Sequence, residues 1–328
     1  MRSVDVLIPF HSDSEYLWEA IDSILDSRGV AVRILLINDI EDAEVSSKFQ
    51  LQIERYLNIT DANYLILRNL GRSYATSLNV SRAWIQSDFV AILNSDDLST
   101  PFRLQSQVQA LEKSGAELAV GKIVKFQGKL RLPSMSGALN PSSFRWQHLL
   151  LGAYGSDASV VVTREAWFEH FTFDEHSCRS DWVTALKMYQ NLKIIGVDQA
   201  VYKYRIHGRQ VTQTQISDDF SSNFSFWRGL STSLGLPEVS INISRALSQP
   251  WAKQRLDKDE FKTMQEWCLK FEKLLFDTSV SNKTKLLLDR RLIISGPIIF
   301  SLTQRPLLLT RMVFEYLYIR IIGSRTRS

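Results

Sequence analysis

Asn94-Ser95-Asp96-Asp97 follows directly on an apolar run, Phe89-Val90-Ala91-Ile92-Leu93. Two adjacent carboxylates on a loop are a hard-oxygen site for Mg2+ or Mn2+, ions that commonly also hold a diphosphate. The apolar run reads as a buried parallel strand. The acidic pair then falls at that strand's carboxyl end, where open α/β sheets bind their ligands. The same residues could instead form a solvated Asx turn leading into the next helix. Two further polar clusters stand in matching places. Pro9-Phe10-His11 follows the apolar stretch 4–8, and Asn38-Asp39 follows 32–37.

The elements that must position these groups alternate from the first residue. Residues 4–8 form a strand that Pro9 stops. Tyr16, Leu17, Ala20, Ile21, Ile24 and Leu25 recur at helical spacing, and Gly29 closes that helix as a C-cap. Residues 32–37 and 64–67 are the next strands, with Phe49, Ile53, Tyr56 and Leu57 marking the helix between them. A third helix after Asn69-Leu70-Gly71 carries Ala75, Leu78 and Ile85. After the fourth strand, Thr100 as N-cap and Pro101 as first helical residue start another helix. This order predicts an α/β fold with a mostly parallel sheet, right-handed crossovers and helices on both faces. The three polar clusters should line one crevice at its carboxyl edge.

Beyond residue 114 the pattern predicts strands at 119–124 and 159–162 and a loop over the crevice at 127–143. Ser180-Asp181 opens a helix, and two last strands follow at 194–197 and 201–204. From residue 216 the signal is helical, near 218–234, 259–276, 283–295 and 306–322. The expected division is a catalytic domain over 1–212 and a helical C-terminal region over 213–328.

No Gly-x-Gly-x-x-Gly follows the first strand and no Gly-Lys-Ser/Thr loop is present, so dinucleotide binding and P-loop chemistry have no support. Two cysteines far apart, Cys178 and Cys268, fit a reduced, cytoplasmic setting. Neither a secretory signal nor a transmembrane helix is expected from the pattern of apolar runs. The formal charge of +4 is unevenly spread: residues 281–328 hold nine basic residues and two acidic ones. Such segregation points to an anionic partner.

Taken together, the ordered elements resemble the inverting family 2 glycosyltransferases with the GT-A fold, over residues 3–212. The opening Val-Asp-Val-Leu-Ile-Pro-Phe-His looks like that family's first strand, and Ile37-Asn38-Asp39 like its second-strand acid. Asn69-Leu70-Gly71 with Asn79, then Leu93 to Asp97 with Pro101, look like the stretch before the metal motif and the Asp-x-Asp region. Phe173-Asp174-Glu175 with Asp181-Trp182 is similar to the acceptor-side acid segment, and Tyr204-Arg205-Ile206-His207 closes the pattern.

The resemblance implies an inverting, metal-dependent, hexosyltransferase-like enzyme using Mn2+ or Mg2+. It would move a sugar from a nucleotide-sugar donor, UDP-linked, to a saccharide or lipid-linked saccharide in surface polysaccharide or glycan biosynthesis. It implies that Asp39 receives the nucleobase, that Asp96 and Asp97 serve ribose and metal, and that Asp181 is the general base. His207 joins the metal and Arg205 the diphosphate, while Pro9, His11, Asn69, Arg72 and Asn94 complete the donor pocket. Asp39 could otherwise cap a turn, Asp181 could be only a helix N-cap, and His207 could be an ordinary loop histidine. Trp167 and Trp182 read as core rather than sugar platforms.

One departure stands out. The family usually has an acid where this chain has Asn94, which offers a carbonyl oxygen but no charge. That keeps open a catalytically weak binding or scaffold module. A sugar nucleotidyltransferase should carry a Gly-rich loop with Arg after the first strand, and here that position is His11-Ser12-Asp13-Ser14. The tail mixes apolar runs with spaced arginines, which suits peripheral attachment to an anionic inner membrane face. Its alternative is a helical bundle packed on the catalytic domain. Nucleic acid is not expected, since no reader module accompanies the charge.

Overall fold

The computed structural model describes residues 1–12, 14–69, 73–132, 157–173, 175, 192–208, 224, 227–229, 231–232, 235–248 and 256–275. The chain divides into two compact units, Met1–Asp219 and Phe220–Ser328.

The first unit opens with β1 (Ser3–Phe10), α1 (Glu15–Leu25), β2 (Ala31–Asn38), α2 (Ala43–Ile59), β3 (Tyr64–Arg68), α3 (Tyr74–Ser81) and β4 (Phe89–Ile92). There follow β5 (Leu98–Ser99), α4 (Arg103–Ser114), β6 (Leu118–Gln127), β7 (Leu130–Leu132), β8 (Val160–Thr163), α5 (Arg164–His170) and β9 (Ile194–Arg205). Each early helix starts on a side-chain cap, which satisfies N–H groups that have no partner within the helix. Ser14 accepts from Tyr16 N, Asp42 from Glu44 N and Val45 N, and Ser73 from Thr76 N. The inward faces carry the spaced apolar residues, Leu17, Ile21 and Ile24 in α1 and Phe49, Ile53 and Leu57 in α2.

Among the described residues nine strands form one mixed sheet, in the order β3-β2-β1-β4-β8-β6-β9-β5, with β7 on β6. The β1–β4 block is parallel. β8 runs antiparallel between β4 and β6, while β6 and β9 are parallel. Because β2 and β4 flank β1, the strand order reverses at β1, and the crevice opens at that carboxyl edge.

Several local expectations are corrected. Pro9 does not stop β1, which continues to Phe10 in register with Asn38. Carbonyls alternate sides along the strand. Leu7 accepts from Leu93 and Phe10 from Asp39, so Pro9 presents its missing N–H to the β4 side, where β4 has already ended. α1 ends at Leu25, and Gly29 lies beyond it in a left-handed turn at φ 75°. Ile85 falls after a 3-10 turn at Arg82–Trp84, outside α3. Thr100 does not cap α4, which begins at Arg103. The Thr100 hydroxyl donates to Ala200 O at 3.0 Å, and its N–H to Val201 O at 3.1 Å. Residues 130–132, expected in a loop, form β7.

The two last strands are one, β9, with register shifts against β6 at Gly121/Lys122 and Lys122/Ile123. Gly121 pairs Val197 and Ile123 pairs Tyr202. Val197 and Tyr202 therefore share a face although they stand an odd five positions apart, and the irregularity re-aims Tyr202 inward. A Cβ on Gly121 would lie 2.9 Å from Val201 Cβ and nearer still to its methyl carbons, so the two strands approach there over glycine alone.

At the opposite, amino edge of the sheet, buried Asp5 accepts both Arg33 Nε and Nη2 at 2.8 Å. It also accepts Gln86 N at 2.7 Å, Ser87 N at 3.0 Å and Ser87 Oγ at 2.7 Å. In the second unit, α6 (Ile241–Ser248) precedes α7 (Lys258–Leu275). Trp227 and Trp267 meet edge to face at 5.6 Å, and Trp267 Nε1 donates to Ser231 Oγ at 2.7 Å. No helix of the described residues is long and apolar enough to cross a membrane.

Candidate active site

The carboxyl ends of β2 and β3 bring Asp39 and Asn69 together. Ladder bonds run past the strand ends, Asp39 N to Phe10 O at 2.8 Å and Asn69 N to Asn38 O at 2.9 Å. Asn69 Nδ2 then donates to Asp39 Oδ1 at 3.2 Å and to Ser77 Oγ on α3 at 2.9 Å. Asn38 turns back on its own loop, its Oδ1 accepting Ile40 N at 3.2 Å. Pro9 is buried beside this pair of strands, while His11 is exposed. Arg72 lies outside the described residues.

The loop after β4 is a tight turn, with Asp97 N donating to Asn94 O at 3.1 Å. Its two acids have opposite fates. Asp97 is fully buried. Its Oδ2 accepts the Tyr202 hydroxyl at 2.5 Å, its Oδ1 accepts Arg205 N at 2.6 Å, and Asn94 Nδ2 approaches Oδ2 at 3.5 Å. Burial, with Asp96 beside it, pushes the Asp97 carboxyl up to about 7 against those donors. The same burial and the Asp97 charge push the Tyr202 hydroxyl well above its ordinary value. Expected beside Asp96 as a metal ligand, Asp97 instead has both oxygens turned to donors inside the protein.

Asp96 is half-buried and faces outward. Its Oδ2 lies 2.9 Å from His207 Nε2. Arg205 Nε donates to Asp96 O at 2.8 Å, and its Nη2 reaches Glu19 on α1 at 2.7 Å. The guanidinium sits between two rings, 4.4 Å from the Tyr16 centroid and 4.8 Å from that of Phe126. Tyr16 in turn packs on His207 at 4.9 Å. Asn94 Oδ1 accepts the Tyr74 hydroxyl at 3.3 Å.

Asn79, also on α3, uses its carboxamide as a peptide group would. Nδ2 donates to Phe173 O at 2.9 Å, and Oδ1 accepts Phe173 N at 3.0 Å. The same Nδ2 reaches Glu175 Oε1 at 2.9 Å. Asp174, Asp181 and Trp182 lie outside the described residues. Trp167 is core, stacked on Phe171 at 4.7 Å. Tyr16, Glu19, Tyr202 and Arg103 were not singled out from sequence. The only local trace of the last is that Arg103 and Gln107, four apart, interrupt the apolar stripe Leu104, Val108 and Leu111.

Asp96 and His207 are the pair that could hold a divalent cation. Ligand atoms at right angles on a shell of about 2.1 Å lie about 3 Å apart, so their 2.9 Å separation suits an ion in place of the shared proton. Among the described residues no group of three or more His, Cys, Asp or Glu could hold a metal. Two protein ligands fit an ion that takes its remaining oxygens from phosphates and water.

A family model described as glycosyl transferase family 2 matches residues 5–176, more than half of the chain. Among solved structures, TarS 1–349 of S. aureus in complex with UDP-GlcNAc is similar over 89% of this chain and 90% of its own. Its TM-score is 0.61 at 12% sequence identity. The same TarS fragment in complex with UDP scores 0.57 at 13% identity, with coverage of 89% and 90%. GalNAc-T7 with UDP, GalNAc and Mn2+ is similar over 84% of this chain and 58% of its own, with a TM-score of 0.52 at 14% identity. These likenesses establish the GT-A fold. No curated protein sequence matches the chain.

Proposed function

We propose that this chain, which belongs to glycosyl transferase family 2, moves a hexose from a UDP-linked donor to a saccharide or lipid-linked saccharide acceptor with inversion, in surface polysaccharide or glycan assembly. The observation that carries the reading is the row of groups along one sheet edge, with Asp39 and Asn69 at one end and Asp96 and His207 at the other. TarS holds UDP-GlcNAc and GalNAc-T7 holds UDP with Mn2+, which supports a UDP donor and a divalent cation here.

In this reading Asp39 and Asn69 receive the base, and Asp96 and His207 hold Mn2+ or Mg2+. The cation, when bound, neutralises charge growing on the departing diphosphate. Asp97 holds the loop from below. Pro9, His11, Arg72 and Asn94 line the donor pocket, with Arg205 bracing Asp96 beside the diphosphate. Asp181 takes the proton of the acceptor hydroxyl as its oxygen bonds to the anomeric carbon and the bond to the diphosphate oxygen breaks. The catalytic domain spans 1–212. The basic tail within 213–328, outside the described residues, attaches the enzyme peripherally to an anionic cytoplasmic membrane face.

Incubation with a panel of sugar nucleotides and saccharide acceptors tests the reading, with release of nucleoside diphosphate as the readout. Release that needs Mn2+ or Mg2+ and stops with EDTA is expected. Full release in chelator would remove the cation, and no release from any donor would remove the enzyme. The neutral Asn94 favours one second reading, a binding module of the same fold. It predicts UDP affinity without release.

A further inference from the structure

A buried charge at the carboxyl end of β4 has no part in the chemistry. Arg103, the first residue of α4, is fully buried. Burial pushes its guanidinium down to about 10, which leaves it protonated at neutral pH. Among the described residues no carboxylate pairs with it. Nη2 instead shares its two N–H groups among three backbone carbonyls, Ile92 at 3.0 Å, Ala158 at 2.7 Å and Val160 at 3.2 Å, while Nη1 is buried with no hydrogen-bond partner among the described residues. Nε donates to Gln107 Oε1 at 3.2 Å, and Gln107 Nε2 donates to Ala119 O and Ser159 O, each at 2.9 Å.

Three of these carbonyls, those of Ile92, Ala158 and Ser159, lie past the last β8 pairs. The β4–β8 pairing ends at Ala91 with Val161, and the β6–β8 pairing at Val120 with Val160. Past those pairs the strands part, and their buried carbonyls need donors from elsewhere. The guanidinium holds Nη2 against these carbonyls while its Nε is tied to Gln107, a two-point arrangement that an ammonium, with one nitrogen, cannot reproduce.

Both routes from Arg103 end at the acidic loop. Ile92 stands two residues before Asn94. On the other side, the Arg103 guanidinium lies 5.5 Å from the Tyr202 ring centroid, and the Tyr202 hydroxyl binds Asp97. We propose that Arg103 is a positioning residue that clamps both ends of the Asn94–Asp97 loop from below and so fixes Asp96 for the donor. Its link to catalysis rests on reading that loop as the donor site.

Arg103→Lys keeps a charge and loses both the Nε bond to Gln107 and the rigid placement of Nη2. Amide hydrogen exchange should quicken selectively at residues 93–97 and 203–206. UDP affinity in Mn2+ should fall about 10–100-fold, as for other residues that support a metal ligand. Arg33→Lys, at the opposite edge of the sheet, should lower the thermal midpoint and leave both readouts unchanged. Exchange in Arg103→Lys that is normal or uniformly faster, with wild-type UDP affinity, would overturn the proposal. Should Arg103→Lys not fold, Tyr202→Phe keeps the ring under the guanidinium and removes the hydroxyl. It should loosen the same two segments, and unchanged exchange there would be equally fatal. If the wild-type protein binds no UDP, the functional reading fails, and the exchange pattern alone decides the clamp.

Discussion

Asn69 turns a single amide nitrogen to Asp39 at 3.2 Å and Ser77 at 2.9 Å, with Ser73 O at 3.5 Å. Asn69→Asp would replace that donor by a carboxylate facing Asp39, and two carboxylates so close disfavour their ionised forms. UDP affinity should fall about 10–100-fold, the scale of one lost buried hydrogen bond with an unmet partner. Calorimetry checks this, and unchanged affinity would take Asp39 and Asn69 out of the donor pocket. Asp181→Asn acts on the other substrate. Transfer should slow about 100- to 10,000-fold, as for loss of a general base, while calorimetric UDP affinity stays at the wild-type value. Near-normal transfer would remove Asp181 from the mechanism. Asp39 and Asp96 were legible because polar residues just past apolar runs mark strand ends locally, whereas Asn69, Arg205 and His207 came only through the family resemblance. Glu19 and Tyr202 were not, since their partners Arg205 and Asp97 lie 186 and 105 residues away. Short-range periodicity carries no information at such separations.

At the scale of elements, the Asp5–Arg33 latch joins β1, β2 and the turn before β4 at the amino edge. Burial alone would raise the Asp5 carboxyl, but Arg33 and the N–H groups of Ser87 and Gln86 outweigh it and hold it below its ordinary 3.8. A carboxylate lowered in the folded state stabilises above the unfolded value and loses that contribution as pH falls below it. Asp5→Asn should cost about 3 kcal/mol at neutral pH, as for a broken buried pair. The gap to wild type should close progressively below pH 3.8. Thermal melts of both proteins across pH test this, and a gap independent of pH would contradict it. The alternation of strands and helices through β4 was readable because each element shows its own period. The breaks were not. Pro9 is tolerated because its missing N–H falls where β4 has ended, and Thr100 fails as a cap because β9 claims its hydroxyl. Both outcomes are set by a neighbouring strand rather than by the residue itself.

For the molecule as a whole, the sequence showed a parallel block but not where β8 goes. Its antiparallel place between β4 and β6 follows from pairings across dozens of residues. It also showed a segregated charge, nine basic and two acidic residues over 281–328. Each arginine near an anionic surface contributes on the order of 1 kcal/mol, a contribution that salt screens, whereas apolar insertion resists salt. Binding to liposomes containing anionic lipid should weaken but persist as salt rises, and a chain ending near residue 280 should not bind. Full-length protein that ignores such liposomes at low salt would leave the tail as a packed bundle.

Empty space can be as specific as a side chain. Between β6 and β9 the room that Gly121 leaves is filled by Val201, whose neighbour Tyr202 reaches Asp97. Gly121→Ala claims that volume from a stiff, branched side chain, and overpacking of this kind costs about 1–3 kcal/mol. Because Val201 O also receives Thr100 N, the displacement should reach the start of α4 and weaken UDP binding from a position that touches no ligand. Val201→Gly in the same chain, which also removes the Cβ that would lie 2.9 Å away, should give the volume back and restore the affinity. If it does not, the defect lies in the backbone rather than in the space. The volume belongs to the two strands jointly: it can be moved from one position to the other, but both cannot fill it.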